Sequence, residues 1–205
     1  MTLRQIRIIL WVAAGLAALA GLAIALRPMP ADGPIASSGS LAEIGGPFTL
    51  TATDGKAFSS EQLAGKPYAL FFGFTHCPDV CPTTLARLAR LRNALGKGND
   101  SFAIVLVSVD PDRDTPAAMA RYAGLFGTPV IALTGTTAAI ERVKKLYGVY
   151  SAKVPQAGAD YTVDHNATVF LIDRAGRFAA TISPSEGDNA ARAKLDRLVK
   201  DGSAT

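Results

Sequence analysis

An apolar strand, a loop with two cysteines and an amphipathic helix follow one another between residues 68 and 95. Residues 68–74 form an apolar run of the length typical of a buried strand. The loop behind it contains both cysteines of the chain, Cys77 and Cys81, and residues 83–91 then have the periodicity of a helix. Because open α/β sheets bind ligands where strands meet the following helices, this order predicts a functional site at the cysteine loop.

Each cysteine precedes a proline, Pro78 or Pro82. Crowding by the proline ring favours extended geometry at the preceding residue, so Cys77 to Cys81 is predicted to be a loop. Pro82 then becomes the first helical residue and Cys81 the N-cap. A thiol at a helix N-terminus is favoured as thiolate, the form that binds soft metals and attacks disulfides.

The two histidines of the chain offer a third ligand. Cys77, Cys81 and His165 together are a possible site for copper or zinc, because two thiolates and one imidazole suit soft or borderline ions. Structural zinc usually has four protein ligands, and only His76 remains as the fourth. We expect His76 to be solvated or packed in the loop, whereas His165 is as consistent with a capping or core role as with metal binding.

The cysteine pair has two further interpretations. A structural disulfide would close a very small loop and constrain the unfolded chain little, which argues for reactivity or metal binding instead. Redox motifs of the thioredoxin type have two residues between the cysteines, and this chain has three. The spacing therefore weakens the interpretation as a pure oxidoreductase without excluding it. In that interpretation, Cys77 and Cys81 are the redox-active pair.

The N-terminal segment differs from the rest of the chain. Residues 8–26 are uninterrupted and apolar between Arg7 and Arg27, long enough for a single transmembrane helix. A cleaved signal peptide is the alternative, although its apolar core is usually shorter. The arginines predict a cytoplasmic N-terminus and a body exported to the periplasmic side of a bacterial inner membrane, where a disulfide can form.

Charge and composition divide the chain further. Residues 27–46 are rich in proline, glycine and serine, which predicts a flexible tether. Of the formal charge of +4, three arginines lie within residues 1–27, leaving 18 basic and 17 acidic residues elsewhere. The sequence contains no basic stripe with interleaved aromatic residues, so nucleic-acid binding is not expected. The predicted segments are a cytoplasmic N-terminus, the anchor, the tether, a folded domain and a tail, at residues 1–7, 8–26, 27–46, 47–201 and 202–205.

Beyond residue 47, apolar runs and turn signals alternate. An Asp54-Gly55 turn predicts an N-terminal β-hairpin, and Thr115-Pro116 predicts the start of a helix. The remaining predictions are strands at residues 102–109, 130–133, 167–172 and 177–182, helices at 137–147 and from 188, and a β-arm at 149–163 directly before His165. This order predicts a thioredoxin-like three-layer α/β fold with a β-arm insertion.

Three blocks, residues 73–85, 107–116 and 161–165, resemble the Sco/SenC family, and the resemblance spans about residues 46–200. Position 166 is Asn where the family more often has Ser. The resemblance implies a copper site, for Cu(I) and/or Cu(II), formed by Cys77, Cys81 and His165. It also implies a membrane-anchored metallochaperone for the dinuclear copper (CuA) site of cytochrome c oxidase subunit II, without catalytic residues of its own.

The resemblance leaves two other activities open. One is a thiol–disulfide oxidoreductase acting on oxidase cysteines, and the other, weaker one is a peroxiredoxin-like peroxidase suggested by Thr75 near Cys77. Among neighbouring residues, Asp79 is expected either to tune the site or to stabilise the loop. Asp110, Arg113 and Asp114 are expected to pair with one another at its rim.

Overall fold

The structure is a computed structural model, and it describes Arg4, Gln5, Trp11 and residues 44–157 and 160–200. The predicted anchor, apart from Trp11, and most of the predicted tether lie outside these residues. Within the described residues, no helix combines the length and the apolar character needed to cross a bilayer.

The described body alternates strands and helices. Its strands are β1 (Thr49–Ala52), β2 (Ala57–Ser59), β3 (Tyr68–Gly73), β4 (Ala103–Ser108), β5 (Ile131–Thr134), β6 (Ser151–Pro155), β7 (Tyr161–His165), β8 (Val169–Ile172) and β9 (Phe178–Ile182). Its helices are α1 (Val80–Ala94), α2 (Pro116–Gly124), α3 (Thr137–Tyr147) and α4 (Asp188–Lys200). Single 3₁₀ turns lie at Ser60–Leu63 and Gly98–Asp100.

Seven of these strands form one sheet in the order β2-β1-β5-β4-β3-β8-β9. Strands β3, β4 and β5 run parallel, and the outer strands are antiparallel. Every residue of β3 and β4 is buried. Because successive side chains point to opposite faces, both faces at the sheet centre are covered. The predicted three-layer α/β fold with its N-terminal hairpin is confirmed.

Helix boundaries follow from capping side chains. The hydroxyl of Thr115 accepts a hydrogen bond from the Ala118 N–H at 3.2 Å, with Pro116 as the first residue of α2. Gly148 ends α3 in the left-handed conformation at φ 63°, which glycine adopts without steric cost. The start of α2 and both ends of α3 thus lie where the sequence predicts them.

The start of α1 differs from the prediction. The helix begins at Val80, with Asp79 as N-cap, so Cys81 is its second residue and not an extended N-cap. The first helical hydrogen bond runs from the Thr83 N–H to the Asp79 carbonyl at 3.1 Å. Because the N–H groups of a first helical turn have no intrahelical acceptor, Pro82 removes no helix bond there. The conformational preference imposed by this proline is therefore overridden by the helix.

Strands β6 and β7 form the predicted arm as a separate two-stranded sheet. Their register pairs Ser151 with His165 and Pro155 with Tyr161. His165 is the last residue of β7 and does not merely follow the arm. The arm therefore carries this imidazole on a hydrogen-bonded strand.

Candidate metal centre

A cysteine from the core and a histidine from the arm meet at the carboxyl end of β3. The Sγ of Cys81 lies 3.6 Å from the Nε2 of His165, although 84 positions separate the two residues. Cys81 is fully buried, whereas His165 is only partly buried. The fold thus brings two of the three predicted ligands into direct contact.

The third predicted ligand, Cys77, lies in the loop before α1 and is partly exposed. Its Sγ accepts a hydrogen bond from the Cys81 N–H at 3.4 Å. The sulfur that receives a helix N-terminal N–H therefore belongs to Cys77 and not, as predicted, to Cys81. Both thiols are free, and within the described residues no three His, Cys, Asp or Glu side chains are grouped closely enough to hold a metal ion.

The environment of Cys81 disfavours its thiolate. Burial is the main cause that raises the pKa of Cys81 far above its ordinary value, and the neighbouring Cys77 contributes in the same direction. Desolvation of the charged form outweighs the position near a helix N-terminus. The expectation of an activated thiolate at Cys81 is therefore wrong for the metal-free, reduced site.

The hydrogen bond of the His165 imidazole leaves its Nε2 as the nitrogen with a free lone pair. Its Nδ1 lies 3.0 Å from the Asn166 carbonyl oxygen, and because a carbonyl oxygen only accepts, Nδ1 carries the hydrogen. Burial lowers the pKa of His165, which favours the neutral ring, whose Nε2 lone pair then faces Cys81. Edge contacts with Phe71 and Phe74, at centroid distances of 6.1 and 5.8 Å, hold the ring.

Close packing fixes the position of the Cys81 sulfur. A Cβ at Gly73 would lie 3.0 Å from this sulfur and 2.9 Å from the ring of Phe71. Real Cβ atoms scarcely approach other atoms so closely, so only glycine fits without movement of the sulfur. The sequence showed this glycine at the end of an apolar run but gave no sign of the contact.

A buried carboxylate ties the cysteine loop to the neighbouring strand. Asp114 accepts hydrogen bonds from the hydroxyls of Thr75 and Ser108, both at 2.6 Å, and from the Thr75 N–H at 3.2 Å. The sequence predicts a pairing of Asp114 with Arg113, and no feature of it indicates the link to Thr75. The hydroxyl of Thr75, the residue behind the peroxidase alternative, is thus engaged by this carboxylate.

The other residues near the loop have separate roles. Arg113 pairs with Asp110 as predicted, Nε to Oδ2 at 2.5 Å. His76 is exposed, and its Nδ1 lies 3.0 Å from the Thr75 hydroxyl, so it is a solvated loop residue. Asp79 is exposed and accepts from the Thr83 hydroxyl at 3.2 Å, which stabilises the start of α1.

Comparison with known proteins matches residues 36–200 to the SCO1/SenC family model. Among curated proteins, the mitochondrial SCO1 homolog 1 of Arabidopsis thaliana is 39% identical over 142 residues, 69% of this chain. This match covers 42% of the Arabidopsis protein. A second match, to mitochondrial SCO2 of Saccharomyces cerevisiae, covers 53% of that protein. The chain therefore spans about half the length of these curated relatives.

Solved structures share the fold over almost their whole length. ScoI of Bradyrhizobium japonicum, solved with copper bound, is 45% identical with a TM-score of 0.69, over 76% of this chain and 99% of that one. BsSco, a member of the Sco family of cytochrome c oxidase assembly proteins in which a disulfide switch was identified, is 25% identical with a TM-score of 0.60, over 77% and 94%. With the family model matching most of its length, this chain belongs to the SCO1/SenC family.

Proposed function

We propose that this chain is a membrane-anchored copper chaperone that assists assembly of the CuA site of cytochrome c oxidase. Cys77, Cys81 and His165 bind the copper ion, and subunit II of the oxidase or another copper protein receives it. The observation that carries this proposal is the 3.6 Å contact between the Cys81 Sγ and the His165 Nε2. ScoI of Bradyrhizobium japonicum, solved with copper bound, supports copper as the cargo.

The donor set suits an ion that has to be released again. Two sulfurs and one neutral imidazole are soft to borderline ligands, which favour copper over hard cations. Three protein ligands leave a coordination position through which a ligand of the receiving protein can enter. Because the pKa of Cys81 is raised by burial, copper displaces the proton of this thiol, and loading releases acid.

A second candidate function is thiol–disulfide exchange by the same cysteine pair. It is favoured by the disulfide switch identified in BsSco and by the free thiols of Cys77 and Cys81 here. Oxidation of the pair to a disulfide removes both sulfur ligands, so copper loading and thiol redox state exclude each other. This function assigns no role to His165.

The proposed location is a bacterial inner membrane, with the folded body facing the periplasm. Residues 8–26 form the proposed single anchor, because an apolar run of this length between arginines is typical of a membrane span. Residues 27–46 then hold the body away from the lipid surface. The membrane is thus the second proposed partner, and nucleic acid is not one.

Copper titration of the purified, reduced full chain tests the function. We expect one copper ion per chain, and we expect His165→Ala to lower the affinity at least about tenfold, because a direct ligand is lost. Both cysteines should still react with a thiol reagent in this variant. Competition with a Cu(I) chelator of known affinity gives the dissociation constants.

His76→Ala is the matched control, since it removes the other histidine beside Cys77 without touching the proposed ligand set. Its copper affinity should equal that of the wild-type chain. Unchanged affinity in His165→Ala would reject the three-ligand site and favour the thiol–disulfide function.

A further inference from the structure

The arm that carries His165 lacks the support that holds the cysteines. In the part of the chain that the structure describes, strands β6 and β7 pair only with each other and not with the seven-stranded sheet. An isolated two-stranded hairpin is at best marginally stable in water. Contacts outside the strand ladder therefore have to fix the arm against the body of the protein.

One residue of the arm makes an unusual number of such contacts. The Tyr161 hydroxyl donates to the Asp110 Oδ1 at 2.8 Å, and Asp110 is fully buried. Arg113, which pairs with this carboxylate, also donates to the Tyr161 carbonyl at 2.9 Å. Its guanidinium carbon lies 3.8 Å from the centroid of the Tyr161 ring.

A second cation contacts the same ring from the other strand of the arm. The Lys153 Nζ lies 4.5 Å from the Tyr161 ring centroid and 2.5 Å from the Asp112 Oδ2. Cation–π contacts of this kind favour one orientation of the ring. We call these four contacting residues, Tyr161, Asp110, Arg113 and Lys153, the Tyr161 latch.

The latch and the metal-binding histidine share one strand face. Tyr161 and His165 are the first and last residues of β7, and side chains an even number of positions apart lie on the same side of a strand. Val163, between them, is buried. Strand β7 thus connects the latch at one end to the contact with Cys81 at the other, about 13 Å away at the usual rise per residue.

The latch is anchored to the same frame as the cysteines. Asp110 and Arg113 follow β4, whose last residue, Ser108, pairs with Gly73 at the end of β3. The Val109 N–H also donates to the Gly73 carbonyl at 2.9 Å. Because this frame is buried and hydrogen-bonded, docking of Tyr161 on it ties β7 to the part of the fold that carries the cysteines.

We propose that Tyr161 is a positioning residue for the third copper ligand. Docked, the Tyr161 latch holds His165 beside Cys81. Undocked, the arm withdraws the imidazole and leaves copper on the two sulfurs, open to a thiolate or imidazole of the receiving protein. No redox change is involved, since one nitrogen ligand leaves and another ligand replaces it. This inference rests on the proposed copper function.

The test uses Tyr161→Phe in the full chain, because this change removes the hydroxyl and keeps the ring. In the metal-free, reduced protein, amide hydrogen exchange of residues 151–154 and 161–165 should become about ten- to a hundredfold faster, as expected for the loss of one hydrogen bond to a carboxylate. In the Cu(I)-loaded protein, copper transfer to the chelator bicinchoninate should accelerate by a similar factor. Tyr150→Phe, an exposed tyrosine outside the latch, should change neither rate.

A double-mutant cycle separates positioning from general loosening of the fold. If Tyr161 acts through the imidazole, Tyr161→Phe should not accelerate copper transfer further in a His165→Ala background. Equal acceleration in both backgrounds, or faster arm exchange with unchanged copper transfer, would overturn the inference. If His165→Ala binds copper like the wild type, the copper function fails instead, and the exchange rates alone decide whether Tyr161 holds the arm.

Discussion

The two sides of the candidate metal centre are built differently. Cys81 lies in the core, in the first turn of a helix that follows a strand whose residues are all buried. His165 lies on a two-stranded arm whose β6 strand contains no buried residue. The sulfur is fixed by dense packing, whereas the imidazole is held by an edge contact with two phenylalanines and by the Tyr161 latch.

This difference has a functional consequence. A chaperone has to bind its ion firmly and then release it to a partner, and a site that is rigid throughout would oppose release. Under the proposed copper function, dense packing keeps the Cys81 sulfur in place, whereas the more exposed arm lets the third ligand leave. The two sides should therefore respond to mutation by different amounts and in different measurements.

The largest effect is expected from the core side. Phe71→Ala removes a fully buried ring and should lower the free energy of unfolding by about 3–5 kcal/mol, because lost transfer energy and a new cavity add. Urea denaturation of the metal-free, reduced chain measures this loss. Copper affinity should fall as well, since Phe71 also contacts the His165 ring.

Val154→Ala gives the corresponding apolar truncation on the arm. Val154 is 42% exposed, so the free energy of unfolding should stay within about 0.5 kcal/mol of the wild type. Equal losses in the two variants would contradict the division into a rigid and a loosely held side.

The core side could largely be predicted from the sequence because its signals are local. Continuous apolar runs indicated β3 and β4, and a threonine before a proline indicated the start of α2. The start of α1 was missed because the preference of a residue before proline is also local, and here the helix overrides it at Cys81. The acidity of this thiol was misjudged for another reason, since burial depends on the completed fold.

The arm shows the opposite limit. Its strands and the position of His165 after them were indicated by the sequence, and the resemblance to the Sco/SenC family supplied the ligand role. The docking of Tyr161 on Asp110 joins residues 51 positions apart, and no periodicity or spacing indicates such a contact. Asp114 likewise was expected to pair with its neighbour Arg113, whereas it reaches Thr75 across 39 positions.

A smaller effect, visible mainly at acid pH, is expected from the carboxylate beneath the cysteine loop. Burial is the main cause that raises the pKa of Asp114 above its ordinary value of 3.8. The folded state then retains a proton that the unfolded state loses, so between 3.8 and the raised value stability falls as pH rises. Relative to Asp114→Asn, the wild-type chain should therefore gain stability as pH is lowered through this window.

Urea denaturation midpoints of both chains from about pH 2.5 to pH 7 measure this difference and also reach below 3.8, where the control titrates. Asp188→Asn is a control of opposite sign, because hydrogen bonds from Arg90 and Arg87 lower the pKa of Asp188 below 3.8. Its stabilising contribution is present above 3.8 and is lost as pH falls below that value. Parallel profiles for the wild type and Asp114→Asn would show that Asp114 titrates alike in the folded and unfolded chains.

The smallest effect is expected at the exposed edge of the latch. Lys153 and Asp112 have side chains that are 50% and 60% exposed, and ion pairs at such exposure contribute little because water and salt screen them. Lys153→Met keeps an unbranched side chain beside the Tyr161 ring and removes the charge. Amide exchange of residues 161–165 should then accelerate by roughly twofold or less, clearly below the effect of Tyr161→Phe. An acceleration equal to that of Tyr161→Phe would show that the exposed Lys153–Asp112 pair supports the arm as strongly as the buried Asp110 does. The position of the imidazole would then depend on surface charge and on ionic strength.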